Sequence, residues 1–88
     1  MSVEATDALG LAAGALTAGA FVPQVLRTWR RRDATGLSPP TYAMLAAGVF
    51  GWIVYGVSTE DVAIVVTNVV TFVLVGAVGL MTWLLPRS

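Results

Sequence analysis

The sequence has no cysteine and no histidine, and only five basic and five acidic residues occur among its 88. The missing cysteine excludes disulfides and thiol chemistry, and the missing histidine removes the usual proton shuttle and metal ligand. No nucleophile–base pair and no phosphate-binding glycine loop is recognisable either. We therefore expect a protein that is not an enzyme and that needs no cofactor or metal.

Charge is also absent from long stretches, because the charged residues are grouped at Glu4, Asp7, Arg27, Arg30, Arg31, Arg32, Asp33, Glu60, Asp61 and Arg87. With 57% hydrophobic residues, the chain is too apolar for a small soluble domain. A bilayer span needs roughly 20 apolar residues, and three charge-free windows qualify. We predict one all-α membrane domain, a three-transmembrane-helix bundle with spans at about residues 8–26, 39–57 and 62–85.

The first window has a rival interpretation, a cleaved signal peptide, because residues 18–20 are small as a cleavage site requires. Signal peptides begin with positive charge, whereas this chain begins with Glu4 and Asp7. We therefore interpret the window as a span. Gly10 and Gly14 have the spacing that lets helices approach closely, which predicts a helix packed on both sides.

A proline and an amide, Pro23 and Gln24, lie near the end of this first span. Proline removes a helical hydrogen bond, so we predict a kink that frees the carbonyl near Gly19, with Gln24 as its candidate partner. The dipeptide alone fits equally well a helix that ends in a simple bend before the arginines.

The loop after the first span carries four arginines, and short positive loops stay in the cytoplasm. The amino terminus and the second connection carry only acids, and Arg87 is near the carboxy terminus. We predict an amino terminus outside and a carboxy terminus in the cytoplasm. Arginines can bind nucleic acid, but beside a span they more often anchor the helix and contact anionic lipid.

Trp52 and Asn68 are unusual within their spans. Trp52 lies six residues before Ser58 and Asn68 six residues after Val62, so at about 1.5 Å per residue both are roughly 9 Å below the loop that joins the two spans. A tryptophan there can be an interface anchor, and an intramembrane amide can simply bond a neighbouring helix. Their matched depth favours a shared site. A ring and an amide suit a neutral polyhydroxylated molecule, and a unit this small needs a second, parallel copy to enclose it.

Several motifs, in this order and spacing, closely resemble those of the bacterial SemiSWEET sugar transporters of the PQ-loop superfamily: Pro23-Gln24, Ser38 before the second span, Trp52-x-x-Tyr55-Gly56 and Asn68. The resemblance covers nearly the whole chain. It implies a parallel homodimer of three-helix bundles, each with the third helix between the other two, that works by alternating access.

The resemblance also implies roles for single residues. Trp52 and Asn68 would bind the sugar, Pro23 would be a hinge, and Gln24 would support it. The gate candidates are Tyr42 on the inner side and Tyr55 with Asp61 on the outer side. Ser58 and Thr59 stand where a basic gate partner is expected, which argues against a salt-bridged outer gate.

These observations predict facilitative transport of a mono- or disaccharide across a bacterial inner membrane, without proton coupling, because no Asp, Glu or His lies inside a span. One alternative is a PQ-loop carrier of another metabolite such as an amino acid, for which a buried acid would be expected. Another is a membrane subunit that only packs against a partner, in which Trp52 and Asn68 would be dispensable.

Overall fold

The chain folds into four helices in the computed structural model, which describes residues 3–86. They are α1 (Val3–Gly19), α2 (Phe21–Arg31), α3 (Pro39–Ser58) and α4 (Val62–Leu84). Helices α1 and α2 form one apolar stretch, Glu4–Arg31, and with α3 and α4 they make three helices long and apolar enough to cross a membrane. The predicted all-α, three-span fold is confirmed, whereas Arg87 lies outside the described residues.

Helix α4 is the centre of the bundle. It contacts α1, α2 and α3, while α1 and α2 make no contact with α3. Because only α4 has neighbours on both sides, it supplies most of the buried residues: Ala63, Thr71, Val75, Val78, Met81 and Thr82. The third span therefore lies between the first two, as the sequence resemblance implied.

The first span is broken at Ala20, between α1 and α2. The Ala20 N–H still donates to the Leu16 carbonyl at 3.1 Å, but Pro23 has no N–H to offer Gly19 one turn before it. The predicted interruption of the helix is observed, whereas a bend of the span there stays a prediction, because Ala20 keeps helical backbone angles (φ −63°, ψ −24°). The prediction for Gln24 is wrong, because its Nε2 donates to the Thr28 hydroxyl, four residues further along α2, at 3.1 Å.

Helix α1 approaches α4 closely through its glycines. A Cβ on Gly14 would overlap the Thr67 side chain, and one on Gly10 would lie 3.4 Å from the Ala63 Cβ. The close approach predicted from the glycine spacing is confirmed. The prediction that α1 is packed on both sides is wrong for a single chain, because α4 is the only helix of the described chain that packs beside α1.

The arginine loop and the end of α4 lie at the same end of the bundle. The Ala34 N–H donates to the Pro86 carbonyl at 2.8 Å, and Ala34 is completely buried. Nearby, the Ser38 hydroxyl caps α3 by accepting from the Thr41 N–H at 3.4 Å, with prolines in the first positions of the helix. The turn between α3 and α4 is at the opposite end.

Candidate functional site

A cavity of about 340 Å³ lies between the first span and α3, with α4 as its floor. Its polar lining consists of Thr17, Trp52, Thr67, Asn68 and Thr71, and its apolar lining of Gly14, Phe21, Leu45, Val49 and Val75. Trp52 and Asn68, which the sequence placed at similar depth on different helices, thus line the same cavity.

Asn68 is half-buried on α4, and its Nδ2 donates to the Ile64 carbonyl at 2.8 Å. An amide has two N–H donors and an oxygen with two lone pairs. One N–H is therefore used within the helix, and among residues 3–86 no group donates to Oδ1. Asn68 can both accept from and donate to a ligand in the cavity.

The hydroxyl groups of the threonines beside Asn68 already donate hydrogen bonds to carbonyls of their own helix. The Thr67 hydroxyl donates to the Ala63 carbonyl and the Thr71 hydroxyl to the Thr67 carbonyl, each at 2.8 Å. Thr17 on α1 does the same to Ala13 at 3.0 Å. A hydroxyl whose hydrogen is donated to its own helix can still accept a hydrogen bond. The three threonines therefore favour a ligand that is rich in hydrogen-bond donors.

Trp52 forms one aromatic wall of the cavity and is 55% exposed in the single chain. The Tyr55 ring lies 5.5 Å from it, centroid to centroid, at an angle of 86°. This edge-to-face contact is a favourable aromatic geometry and steadies the indole. Tyr55 does not line the cavity; it lies in an adjoining groove with Gly48, Gly51 and Trp52.

The other predicted site residues lie outside the cavity. Tyr42 is near the arginine end, where a Cβ on Gly79 would lie 3.4 Å from its Cβ. Asp61 caps α4 by accepting from the Ile64 N–H at 3.1 Å. Pro23 and Gln24 belong to α2 beyond the break. Their gate and hinge roles stay predictions.

Leu45 and Val49 were not anticipated as lining residues. They lie seven and three residues before Trp52 on α3, a spacing that brings all three to one helical face. Asn68, Thr71 and Val75 follow the same rule on α4. Once Trp52 and Asn68 are chosen as anchors, helical periodicity alone would have found these neighbours.

None of the described residues that line the cavity is charged. A ligand there meets hydrogen-bonding groups, the aromatic rings of Trp52 and Phe21, and aliphatic walls. The arrangement suits a neutral molecule with several hydroxyls.

Comparison with known proteins gives a consistent result. The sequence profile of the PQ loop repeat matches residues 5–65. The chain is 40% identical to the sugar transporter SemiSWEET of Escherichia coli strain UMEA 3162-1 over 79 residues, 90% of this chain and 89% of that protein. It is also 40% identical to the sugar transporter SemiSWEET of Leptospira biflexa, over 72% of this chain and 74% of the relative.

The solved structures agree with the sequences. A SemiSWEET crystal structure in the inward-open conformation superposes with a TM-score of 0.85 at 35% identity, covering 93% of this chain and 88% of that one. Sequence and fold agree over almost the full length of both proteins. The chain belongs to the PQ-loop family, and within it to the SemiSWEET transporters.

Proposed function

We propose that this protein is a facilitative carrier of mono- or disaccharides in a bacterial inner membrane. The observation that carries the proposal is the neutral cavity lined by Trp52 and Asn68, in a chain that is 40% identical to a sugar transporter over 90% of its length. The Trp52 ring covers the C–H face of the sugar, and Asn68 exchanges hydrogen bonds with its hydroxyls.

The working unit is a parallel homodimer. In one chain Trp52 is 55% exposed and the cavity is bounded by three helices only, so a second copy is needed to surround a sugar. Two copies in the same orientation are related by an axis along the membrane normal. The site then contains two Trp52 and two Asn68 side chains.

Transport proceeds by alternating access. The break before Pro23 lets the two halves of the first span change their angle, while Tyr42 closes the arginine end and Tyr55 with Asp61 closes the other. The arginine end faces the cytoplasm, as short positive loops do, which puts the amino terminus outside and the carboxy terminus inside.

The test is uptake of radiolabelled glucose and sucrose by proteoliposomes, with and without a pH gradient. We expect uptake of at least one sugar, unchanged by the gradient, and reduced tenfold or more, roughly the effect of one lost hydrogen bond, in Asn68→Ala. Trp52→Ala should act similarly. Its matched control is Trp83→Ala, since Trp83 is 77% exposed and does not line the cavity.

Three other outcomes of these assays would contradict the proposal. Uptake stimulated by the gradient would contradict the uniport mechanism. Absence of sugar uptake in well-folded protein would favour a carrier of another metabolite or a packing subunit. Full activity in both Asn68→Ala and Trp52→Ala would show that the cavity is not the binding site.

A further inference from the structure

A second groove, with a volume of about 450 Å³, runs along the outer face of α2. Its apolar part is formed by Val22, Pro23 and Leu26, and its basic part by Arg27, Arg30 and Arg31. Residues three and four apart share one face of a helix, so the three arginines form a single basic cluster that continues the apolar stripe towards the end of the span.

The groove faces away from the bundle. The opposite, inward face of α2 carries Gln24 and Thr28, whose side chains are hydrogen-bonded to each other at 3.1 Å, and Thr28 is only 2% exposed. In contrast, Val22 and Leu26 are 40% and 45% exposed. The groove is thus separate from the sugar cavity, with which it shares no residue.

The positive charge of the groove is not neutralised from within the described chain. Arg27, Arg30 and Arg31 form no ion pair among residues 3–86. The only acid nearby in sequence, Asp33, accepts from the Thr35 N–H at 2.9 Å and from its hydroxyl. These hydrogen bonds, with a smaller effect of Arg31, hold the pKa of Asp33 below its usual value.

The fourth arginine of the loop is already occupied elsewhere. The Arg32 guanidinium lies over the Trp29 ring, 3.7 Å from its centroid, in a cation–π contact, and Arg32 is not part of the groove. Three of the four arginines are therefore directed to one place, and that place lies where a membrane-spanning helix meets the lipid headgroups.

We propose that this groove binds one anionic phospholipid. The phosphate pairs with Arg27, Arg30 and Arg31, since guanidinium groups match phosphate geometry in a bidentate way. An acyl chain lies along Val22 and Leu26. Both the charge and the apolar continuation are needed, which selects an anionic lipid over a free phosphate or a zwitterionic lipid.

Pro23 is part of the groove lining, so the bound lipid contacts the break in the first span directly. Lipid occupancy is therefore coupled to the hinge movement. This last step depends on the proposed function, whereas the binding of the lipid does not.

The experiment measures binding separately from transport. Purified protein is titrated with phosphatidylglycerol or phosphatidylcholine and the lipid adducts are counted by native mass spectrometry, followed by uptake in vesicles of each lipid. We expect one high-affinity phosphatidylglycerol per chain. Because each arginine near an anionic surface contributes about 1 kcal/mol, Arg27→Gln, Arg30→Gln and Arg31→Gln should each weaken its binding about fivefold.

Arg32→Gln is the matched control, because it removes the same charge from the residue next to Arg31, which lies outside the groove. It should leave the affinity unchanged, and millimolar inorganic phosphate should not displace the lipid. Leu26→Ser tests the apolar part and should also weaken binding. Elution as a single folded species confirms that each variant is intact.

Three results would overturn the proposal. Equal losses in Arg32→Gln and the groove variants would mean diffuse attraction without a site. Equal binding of phosphatidylcholine would remove the selectivity for anionic lipid. Dissociation of a dimer in the groove variants, with unchanged lipid binding, would mean that a second copy covers the groove. Loss of binding remains measurable even if no sugar is transported.

Discussion

Glycine 14 shows how much of this bundle depends on a single missing side chain. A Cβ at this position would overlap Cγ2 and Cβ of Thr67 and come within 2.9 Å of its hydroxyl oxygen. Thr67 lines the cavity that contains Trp52 and Asn68, and its hydroxyl donates to the Ala63 carbonyl. Gly14 thus sets both the spacing of α1 and α4 and the shape of the cavity wall.

We predict that Gly14→Ala lowers the thermal unfolding midpoint in detergent. Overpacking costs about 1 to 3 kcal/mol, which exceeds the helix-propensity gain of about 1 kcal/mol from replacing glycine by alanine. Gly76→Ala is the control, because a Cβ there meets nothing within 4 Å, so its midpoint should stay the same or rise. A midpoint for Gly14→Ala at or above that of Gly76→Ala would contradict the close contact.

At the scale of helices, the first span differs from the other two because it is made of two pieces. Helices α3 and α4 are continuous over 20 and 23 residues, whereas the first span is interrupted at Ala20. Within a membrane a free carbonyl is costly unless a neighbouring group or water satisfies it. The break is therefore a point of local weakness, next to the cavity residue Phe21.

We predict that Pro23→Ala slows the exchange between inward- and outward-open states. Alanine supplies an N–H for the Gly19 carbonyl, so α1 and α2 can join into one stiffer helix. The measurement is the rate of sugar counterflow in proteoliposomes, expected to fall several-fold with little change in equilibrium sugar binding. Pro40→Ala is the control, because Pro40 occupies the first turn of α3, where no helical N–H is needed.

Unchanged counterflow in Pro23→Ala would remove the hinge role of the break. Equal slowing in Pro40→Ala would indicate a general loss of packing.

The whole protomer is an arc in which α4 alone contacts every other helix. An arc of three helices has one concave side, and here that side carries the cavity with Trp52 and Asn68. One protomer therefore surrounds the cavity on one side only. If two arcs share one sugar, the protomers cannot function independently.

We predict that one Asn68→Ala copy disables a dimer. Co-expression of equal amounts of wild-type and Asn68→Ala chains gives mixed dimers, so random pairing in a two-fold dimer should leave roughly one quarter of the wild-type uptake. Independent protomers would leave about half, by the same counting. Chains carrying two different tags allow the mixed dimers to be purified and assayed alone.

Much of this protein was predictable from the order of its residues. Apolar windows without charge predict membrane spans wherever they are long enough. Pro23 weakens the helix of the first span whatever surrounds it, because a proline has no N–H to donate. These are local constraints. The Ser38 cap and the two prolines that begin α3 are local constraints of the same kind.

The central position of α4, the meeting of the first span and α3 around one cavity, and the side of α2 on which the groove lies were decided by tertiary structure. Each depends on which side of a helix faces a neighbour, and in an apolar bundle hydropathy does not distinguish lipid-facing from protein-facing positions. The chain order places α3 between the first span and α4, but packing puts α4 in the centre. Close contacts such as Gly14 on Thr67 select that arrangement, and with it the cavity.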